Sequence, residues 1–377
     1  MRILTYLPEL AATGGVEQHL LQLSRELARR GHEIDLRCTT DGELGGEFRS
    51  FCSSVVEGPS IRYAGAPVGN LARIALQARA AARTRPDLVY VNNFSEILWA
   101  MAVKTITRAP IVSHLHAFEF TQFARYRSHS ARVLGNRPAR FIISSEFMRA
   151  AWADYVTNPA KLEVIPYGIQ LSDYPKGTEP ARQRSRTALG LPPDAYVVLY
   201  LGRLDPEKGV EVLLAAWKLL AASDEQARLL LVGSPMLHRD PAAYLEQLQR
   251  DAPPGCHWLP MRPDVVSAMH AADVLVLPSV WDEPFGRVVI ETMATGRPVV
   301  ASRSGGIPEI LTGRFAQFLF ERGDATGLAV RLGELREWRR EQPELADQCV
   351  RHVAERFTLG HTADRIEAVF REALSAG

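Results

Sequence analysis

Two glutamates eight positions apart, Glu283 and Glu291, lie on either side of a predicted helix start. The residue types of this segment suit a ligand that carries both a negative charge and hydroxyl groups. The apolar run 274–278 before them predicts a buried strand, and a helix is predicted from near Gly286 to about Thr295. The first turn of a helix presents unpaired backbone N–H groups and a partial positive charge, which suit a diphosphate. Because an ionised carboxylate only accepts hydrogen bonds, the two glutamates suit hydroxyl groups on the same ligand.

The position of Glu291 on this helix allows two interpretations. The arc predicted to face the core holds Val289, Ile290, Met293 and Ala294. Glu291 falls on the opposite arc with Thr292 and Thr295, where a glutamate is usually solvated. A helix that follows a buried parallel strand is largely covered, however, and its N-terminus faces the ends of the strands where ligands bind. The neighbourhood therefore favours a binding role for Glu291.

A second group suited to phosphate follows the predicted strand 196–201, in a turn that begins with Gly202 and Arg203 and ends with Lys208 and Gly209. Arginine offers a planar fork of N–H donors and lysine a point charge, so the two can meet two phosphates. The alternative interpretation is a pair of solvated loop residues. We expect the Lys208 side chain to lie at the turn without burying surface.

Three more glycines occupy turns after predicted strands. Gly14 and Gly15 stand between the first strand and a helix that runs to Arg30, and Gly233 follows the strand 229–232. A glycine pair alone is usually only a turn. Its place after the first strand of an alternating pattern makes Gly14 and Gly15 a candidate anion site as well.

Two histidines, His114 and His116, stand at the end of the predicted strand 111–114. A metal site would need a third ligand, and none lies near them in sequence, so we predict no metal. A hydrogen-bonded loop histidine and a histidine that contacts substrate remain as the two interpretations.

Strands alternate with helices through both halves of the chain, which predicts an α/β protein with two doubly wound parallel sheets. A chain of 377 residues is too long for one ordinary core, and its 46% hydrophobic content is that of a soluble globular protein. We place the first domain at 1–170, a linker rich in proline and glycine at 171–183, and the second domain at 184–360. The net charge of +1 argues against a dedicated nucleic-acid binder. No apolar run reaches the length of a membrane span, so we expect a cytoplasmic protein.

The segment Glu-Pro-Phe-Gly-x-x-x-x-Glu at 283–291 resembles the Glu-x7-Glu motif of retaining glycosyltransferases with the GT-B fold, specifically family 4. The Gly-Arg and Lys-Gly pairs at 202–209 match the same family, and the resemblance extends over nearly the whole chain. It implies that Glu283 binds the transferred sugar, that Glu291 binds the ribose, and that His116 lies near the sugar. A donor-binding set follows from the same resemblance: Gly14, Gly15, Gly202, Arg203, Lys208, Gly233, Glu283, Phe285, Gly286, Arg287 and Glu291. The family usually has asparagine where this chain has Tyr167.

The reaction that the resemblance implies is transfer of a hexose-type sugar from a UDP- or GDP-linked donor to an acceptor hydroxyl, with retention of configuration. His116, Arg203, Lys208 and Glu283 are the predicted catalytic residues. Positive charge at the leaving diphosphate stabilises it electrostatically, so neither a metal nor a cofactor is predicted. The product would belong to glycan, glycolipid or glycosylated-metabolite biosynthesis. A GT-B sugar-nucleotide epimerase and a non-catalytic nucleotide-sugar-binding protein remain as alternatives. The helix at about 361–377 is expected to pack back on the first domain, as in other GT-B proteins.

The acceptor side offers one sequence feature, a basic stretch from Arg125 to Arg140 that contains no acidic residue. Such a stretch is either a solvated face or a surface for an anionic or lipid-linked acceptor. The second interpretation implies peripheral contact with the inner face of the membrane.

Overall fold

The computed structural model describes residues 1–11, 14–61, 67–117, 136–153, 155–222, 225–236 and 238–375. The chain forms two compact units. One comprises Met1–Ile169 together with Leu359–Gly377, and the other comprises Gln170–Thr358. Each unit is a parallel sheet flanked by helices, as the alternating pattern predicts.

The first unit is built on a seven-stranded sheet in the order β3-β2-β1-β4-β5-β6-β7. Its strands are β1 Arg2–Tyr6, β2 Glu33–Cys38, β3 Ser54–Glu57, β4 Leu88–Val91, β5 Ile111–Leu115, β6 Arg140–Ile143 and β7 Leu162–Val164. Its helices are α1 Gly15–Arg29, α2 Gly45–Phe51, α3 Pro67–Ala82, α4 Ile97–Thr107, α5 Glu146–Trp152 and α15 Leu359–Ser375. The strand order reverses between β1 and β4, the position at which open α/β sheets bind ligands.

Both faces of this sheet are buried, which explains why its strands read as apolar runs rather than as alternating patterns. On β1, Ile3 packs into the core beside α1, whereas Leu4 packs into the core beside α3 and α4. The last helix of the chain, α15, contributes Ile366 and Phe370 to the core on the α1 side. Its apolar face therefore stabilises the first unit, although it follows the second in sequence.

The second unit is built on a six-stranded sheet in the order β10-β9-β8-β11-β12-β13. Its strands are β8 Val197–Leu201, β9 Arg228–Val232, β10 Cys256–Leu259, β11 Val274–Leu277, β12 Val299–Ser302 and β13 Leu319–Phe320. Its helices are α6 Glu179–Ala188, α7 Val210–Ala221, α8 Pro241–Asp251, α9 Val265–Ala271, α10 Arg287–Ala294, α11 Ile307–Ile310, α12 Ala325–Glu334, α13 Trp338–Glu341 and α14 Leu345–Arg356. β8 and β11 pair in the middle of the sheet, so the turns that follow them are neighbours.

The segment 171–183 is not wholly a linker, because α6 begins inside it at Glu179. The Thr178 side chain accepts a hydrogen bond from the backbone N–H of Ala181, and Pro180 occupies the first turn. A threonine N-cap followed by proline is a helix-start signal. The proline and glycine content of the segment favoured a linker, whereas the capping pattern at Thr178 indicates a helix.

The ends of β8 and β11 away from the candidate site are tied together by the buried carboxylate of Asp273. It accepts hydrogen bonds from Arg186 Nη2 at 2.7 Å, from Arg339 Nε at 2.8 Å and from the backbone N–H of Val197 at 2.8 Å. Burial alone would raise the pKa of Asp273, but the charges of Arg339 and Arg186 lower it. The ionised carboxylate therefore fixes the relative position of the two strands that carry the site.

Candidate functional site

Lys208 and Glu283 meet at the carboxyl ends of β8 and β11. Lys208 Nζ lies 2.6 Å from Glu283 Oε1, although the two residues are 75 positions apart in sequence. The Ser279 hydroxyl donates a hydrogen bond of 2.5 Å to the same oxygen. The Glu283 side chain is 8% exposed and the Lys208 side chain 15% exposed, so this is a largely buried ion pair.

The Lys208 side chain also lies over the ring of Trp281, with Nζ 5.2 Å from the ring centroid. The expectation that Lys208 buries nothing is therefore wrong. The physical reason is the pairing of β8 with β11, which places the lysine turn beside the loop that carries Trp281 and Glu283. The ammonium has more N–H donors than one carboxylate uses, so it can bind a phosphate while it keeps Glu283.

Two glycines allow the backbone to approach closely enough to build this arrangement. Gly209, at φ 71°, lies so near β11 that an added Cβ would be 2.0 Å from the carbonyl oxygen of Pro278. Gly305, at φ 54°, would place a Cβ 2.0 Å from the carbonyl oxygen of Glu283. The backbone N–H of Gly306 donates a hydrogen bond of 2.8 Å to that carbonyl. The glycine turn after β12 thus holds the backbone of Glu283 in place.

Arg203 is oriented by two carboxylates of its own turn. Nη1 donates to Asp205 Oδ2 at 2.6 Å, and Nη2 donates to Glu207 Oε1 at 3.2 Å. Asp205 is fully buried, and its other oxygen accepts a hydrogen bond of 2.9 Å from the backbone N–H of Met236. A guanidinium has further N–H donors in the same plane, so these contacts orient Arg203 and leave it able to bind an anion.

Gly286 is the N-cap residue of α10, with φ 102°, and places Phe285 just before the helix. The Phe285 ring is buried and packs edge-on against Phe357, with 5.9 Å between centroids. The part of Phe285 that can reach a ligand is therefore its backbone. The arc of α10 that was predicted to face the core is buried, and Thr292 and Thr295 on the opposite arc are fully buried as well. α14 packs against α10 and covers the outer side of the helix.

Glu291 is held by two hydrogen-bond donors. Arg287 Nε donates to Oε1 at 2.6 Å, and the Tyr174 hydroxyl donates to the same oxygen at 3.0 Å. Arg287 is buried, and its hydrogen bond to Glu291 links residues one turn apart near the start of α10. Sequence reasoning missed Tyr174, because it lies in the predicted linker and 117 positions from Glu291. No local pattern connects the two.

His116 belongs to a buried cluster in the first unit that also contains His114 and Tyr167. The rings of His114 and His116 are 3.9 Å apart, and the Tyr167 hydroxyl lies 2.6 Å from His116 Nδ1. His116 Nε2 lies 3.5 Å from Oδ1 of Asn92, whose amide nitrogen donates to the carbonyl oxygen of Tyr6 at 3.1 Å. Because that carbonyl only accepts, the Asn92 oxygen faces His116, and Nε2 carries the proton. The Tyr167 hydroxyl then donates to Nδ1.

Burial lowers the pKa of His116 to about 3. Burial also lowers the pKa of His114 well below its ordinary value, and the charges that His116 and His19 would carry when protonated lower it further. Both histidines are therefore neutral at neutral pH. In the unfolded chain they take up protons below about pH 6.5. The stability that depends on neutral imidazoles is present above that pH and is lost as the pH falls toward the folded pKa.

We expect the free energy of unfolding to fall by about 1.4 kcal/mol per pH unit for each of these histidines as the pH drops below about 6.5. Urea unfolding between about pH 7 and about pH 5 measures this dependence. His116→Asn should make it shallower, because asparagine takes up no proton while His114 still does. The control is His361→Asn, since His361 is exposed. An unchanged pH dependence in His116→Asn would contradict the assignment.

The remaining predicted site residues divide between the units. Gly14 is the N-cap residue of α1 and Gly15 its first residue, both in the first unit with His116. Gly202 and Gly233 follow β8 and β9 in the second unit, and the N–H of Gly202 donates to the Val232 carbonyl at 3.1 Å. The structure brings Lys208 and Glu283 into contact, and it places Arg203 and Glu291 in the same unit.

Three sequence predictions concern features beyond these contacts. Most of the basic stretch Arg125 to Arg140 lies outside the described residues, as does 118–124 before it. Within the described part of the chain, no group of three or more histidine, cysteine, aspartate or glutamate side chains is arranged to hold a metal ion. Among the helices that the structure describes, none is long and apolar enough to cross a membrane.

The sequence matches two family descriptions that together span most of the chain. Residues 13–173 match Glycosyltransferase Family 4, and residues 195–337 match Glycosyl transferases group 1. The chain belongs to glycosyltransferase family 4. Its sheets and the neighbours below give it the GT-B fold, as the sequence resemblance implied.

Relatives of this family 4 glycosyltransferase include two named enzymes. The D-inositol 3-phosphate glycosyltransferase of Corynebacterium efficiens is 28% identical over 409 aligned positions, which cover 98% of this chain and 93% of that protein. The lipopolysaccharide 1,2-N-acetylglucosaminetransferase of Salmonella typhimurium is 29% identical over 244 positions, covering 63% of this chain and 60% of that protein.

Two solved structures share the fold over the full length of both chains. HepE from Anabaena, in complex with UDP-glucose, superposes with a TM-score of 0.84 at 24% identity and covers 100% of each chain. Sucrose-phosphate synthase from Thermosynechococcus elongatus superposes with a TM-score of 0.80 at 22% identity and also covers 100% of each chain. At these identities the likeness concerns the fold of the family 4 glycosyltransferase.

Proposed function

We propose that this glycosyltransferase moves a hexose from a nucleoside-diphosphate sugar to an acceptor hydroxyl with retention of configuration. The observation that carries the proposal is the buried contact of Lys208 with Glu283, beside the N-terminus of α10. It combines a cation for a phosphate, a carboxylate for sugar hydroxyls and a helix start for an anion. The bound UDP-glucose of HepE supports UDP over GDP as the carrier, although the contact itself suits either.

The departing diphosphate builds up negative charge, and the second unit offers fixed positive charge to meet it. Lys208 and Arg203 are oriented before the donor binds, by Glu283 and by Asp205 respectively, so little reorganisation is needed as charge develops. The backbone N–H groups after Phe285 add the partial charge of the helix N-terminus. Metal-free catalysis follows as part of the proposal.

Glu283 is proposed as a hydroxyl acceptor rather than a nucleophile, since two donors already engage one of its oxygens. His116, which its burial keeps neutral, is proposed to lie near the transferred sugar. In the proposed same-face reaction, the leaving phosphate oxygen takes the proton of the acceptor hydroxyl. No protein residue then needs to form a bond with the sugar.

The acceptor is proposed to be a small phosphorylated polyol, of which inositol phosphate is the example. Support comes from the relative named D-inositol 3-phosphate glycosyltransferase, which aligns with nearly the whole chain. A lipid-linked acceptor is the second candidate, favoured by the basic stretch Arg125 to Arg140.

The test is a panel of UDP- and GDP-linked hexoses, each screened for binding by thermal shift and then incubated with inositol 3-phosphate or with a lipid-linked acceptor. We expect one donor to raise the melting temperature and to yield a glycosylated acceptor with the donor's anomeric configuration, with or without a chelator. Interconversion of the donor sugar without transfer would favour an epimerase. Binding without any turnover would favour a non-catalytic nucleotide-sugar-binding protein.

A further inference from the structure

Tyr174 follows a short 3₁₀ turn, Leu171–Asp173, near the start of the second unit. Its hydroxyl donates a hydrogen bond of 3.0 Å to Oε1 of Glu291. Burial and the negative charge of Glu291 raise the pKa of this hydroxyl above its ordinary value, so it stays protonated at neutral pH. Tyr174 is therefore a constant hydrogen-bond donor to the carboxylate.

Arg287, on α10, is a second hydrogen-bond donor to the same oxygen. Its Nε lies 2.6 Å from Glu291 Oε1, and the arginine side chain is 5% exposed. A carboxylate oxygen has two lone pairs, so Oε1 is fully used by Arg287 and Tyr174. The oxygen with capacity for a ligand is Oε2, and the Glu291 side chain remains 14% exposed.

The two donors also fix the rotation of the carboxylate. Arg287 lies one helical turn before Glu291 on α10, whereas Tyr174 comes from a segment outside the helix. Contacts from two separate elements hold the plane of the carboxylate, where one contact would leave it free to turn. A preorganised acceptor loses less entropy when a ligand hydroxyl binds.

We infer that Tyr174 is a positioning residue for the nucleotide: with Arg287 it holds Glu291 so that Oε2 accepts a hydrogen bond from the ribose, which makes the site selective for ribonucleoside diphosphates. This inference rests on the proposed donor site. It adds a residue that touches Glu291 and not the nucleotide. Tyr174 thereby determines specificity for ribose over deoxyribose through the orientation of one carboxylate.

The test compares UDP with 2′-deoxy-UDP, and GDP with 2′-deoxy-GDP, by titration calorimetry on the wild-type chain and on Tyr174→Phe. Phenylalanine keeps the ring and removes only the hydroxyl. We expect Tyr174→Phe to bind the ribonucleotide about tenfold more weakly, in line with the loss of one hydrogen bond to a charged group. Affinity for the deoxy form should change little, so the preference for ribose shrinks.

Tyr196→Phe is the matched control, because the Tyr196 hydroxyl donates a buried hydrogen bond of 2.7 Å to the Leu332 carbonyl, away from Glu291. Its preference for ribose should equal that of the wild type. A Tyr174→Phe variant that loses affinity for both nucleotides by the same factor, or for neither, overturns the inference alone. A wild-type chain that binds neither UDP nor GDP overturns the proposed donor site, and the inference with it.

Discussion

Lys208→Ala is expected to lower kcat by about 100-fold, the loss typical of removing one preorganised donor from a developing negative charge. The structure gives two reasons. The ammonium lies beside the N-terminus of α10, where the diphosphate is proposed to bind, and it also pairs with Glu283 at 2.6 Å. The substitution therefore removes the charge for the leaving group and the partner of the carboxylate proposed to bind the sugar. Steady-state kinetics with the donor identified from the panel measures the loss.

The matched control is Lys218→Ala on α7, where the lysine is exposed. It removes the same charge from the same unit and should leave kcat unchanged. Circular dichroism of both variants checks the fold, because Lys208→Ala leaves the largely buried Glu283 carboxylate without its cation. Turnover near that of the wild type in a folded Lys208→Ala variant would contradict the role assigned to Lys208.

Glu291→Gln is expected to weaken the binding of bare nucleoside diphosphate by roughly 1.5–3 kcal/mol, the range for hydrogen bonds to a charged group. Glutamine keeps the size of the side chain, but it weakens the bonds from Arg287 and Tyr174 and the bond proposed for the ribose. Glu283→Gln should leave that affinity nearly unchanged and lower kcat, because Glu283 is proposed to meet only the transferred sugar. Calorimetry with UDP or GDP, followed by kinetics, separates the two.

The two variants can be compared directly, since both glutamates lie in the second unit and each pairs with a cation there. Loss of an ion pair is thus common to both variants. If Glu283→Gln loses as much diphosphate affinity as Glu291→Gln, the division of roles is wrong, whatever happens to turnover.

The parallel strands could be predicted from the sequence because a strand buried on both faces reads as an apolar run. The strand predicted at 229–232 is β9, which the structure has at Arg228–Val232. The runs that became β8 and β11 precede Lys208 and Glu283, and these two strands are neighbours in the sheet. The direct contact between the two side chains could not be predicted. It depends on the close approach of Gly209 to Pro278, which involves residues far apart in the chain.

Helix periodicity predicted the core-facing arc of α10 but could not identify the element on its other side. That element is α14, which packs against α10, so Thr292 and Thr295 are buried as well. The linker prediction likewise used composition and missed the N-cap at Thr178. Local sequence predicts where a helix starts and which of its faces is apolar, but it does not predict which other elements pack against the helix.

The contact of Tyr167 with His116 could not be predicted from the sequence, although Tyr167 itself departs visibly from the family pattern. This chain has a tyrosine where the family usually has asparagine. The structure shows that its hydroxyl lies 2.6 Å from His116 Nδ1, in a cluster assembled from separate strand ends. The contact gives Nδ1 of a predicted catalytic residue its hydrogen-bond partner, a result that needs the positions of both rings.

The central claim is that the second unit binds the nucleoside diphosphate of the donor between Arg203, Lys208 and the N-terminus of α10. A crystal structure with the bound nucleotide tests it most directly. We predict that the diphosphate oxygens lie within hydrogen-bond distance of Arg203 and Lys208 and that the ribose hydroxyls lie on Glu291. A diphosphate seated away from Arg203 and Lys208, or a ribose that makes no contact with Glu291, would contradict the account.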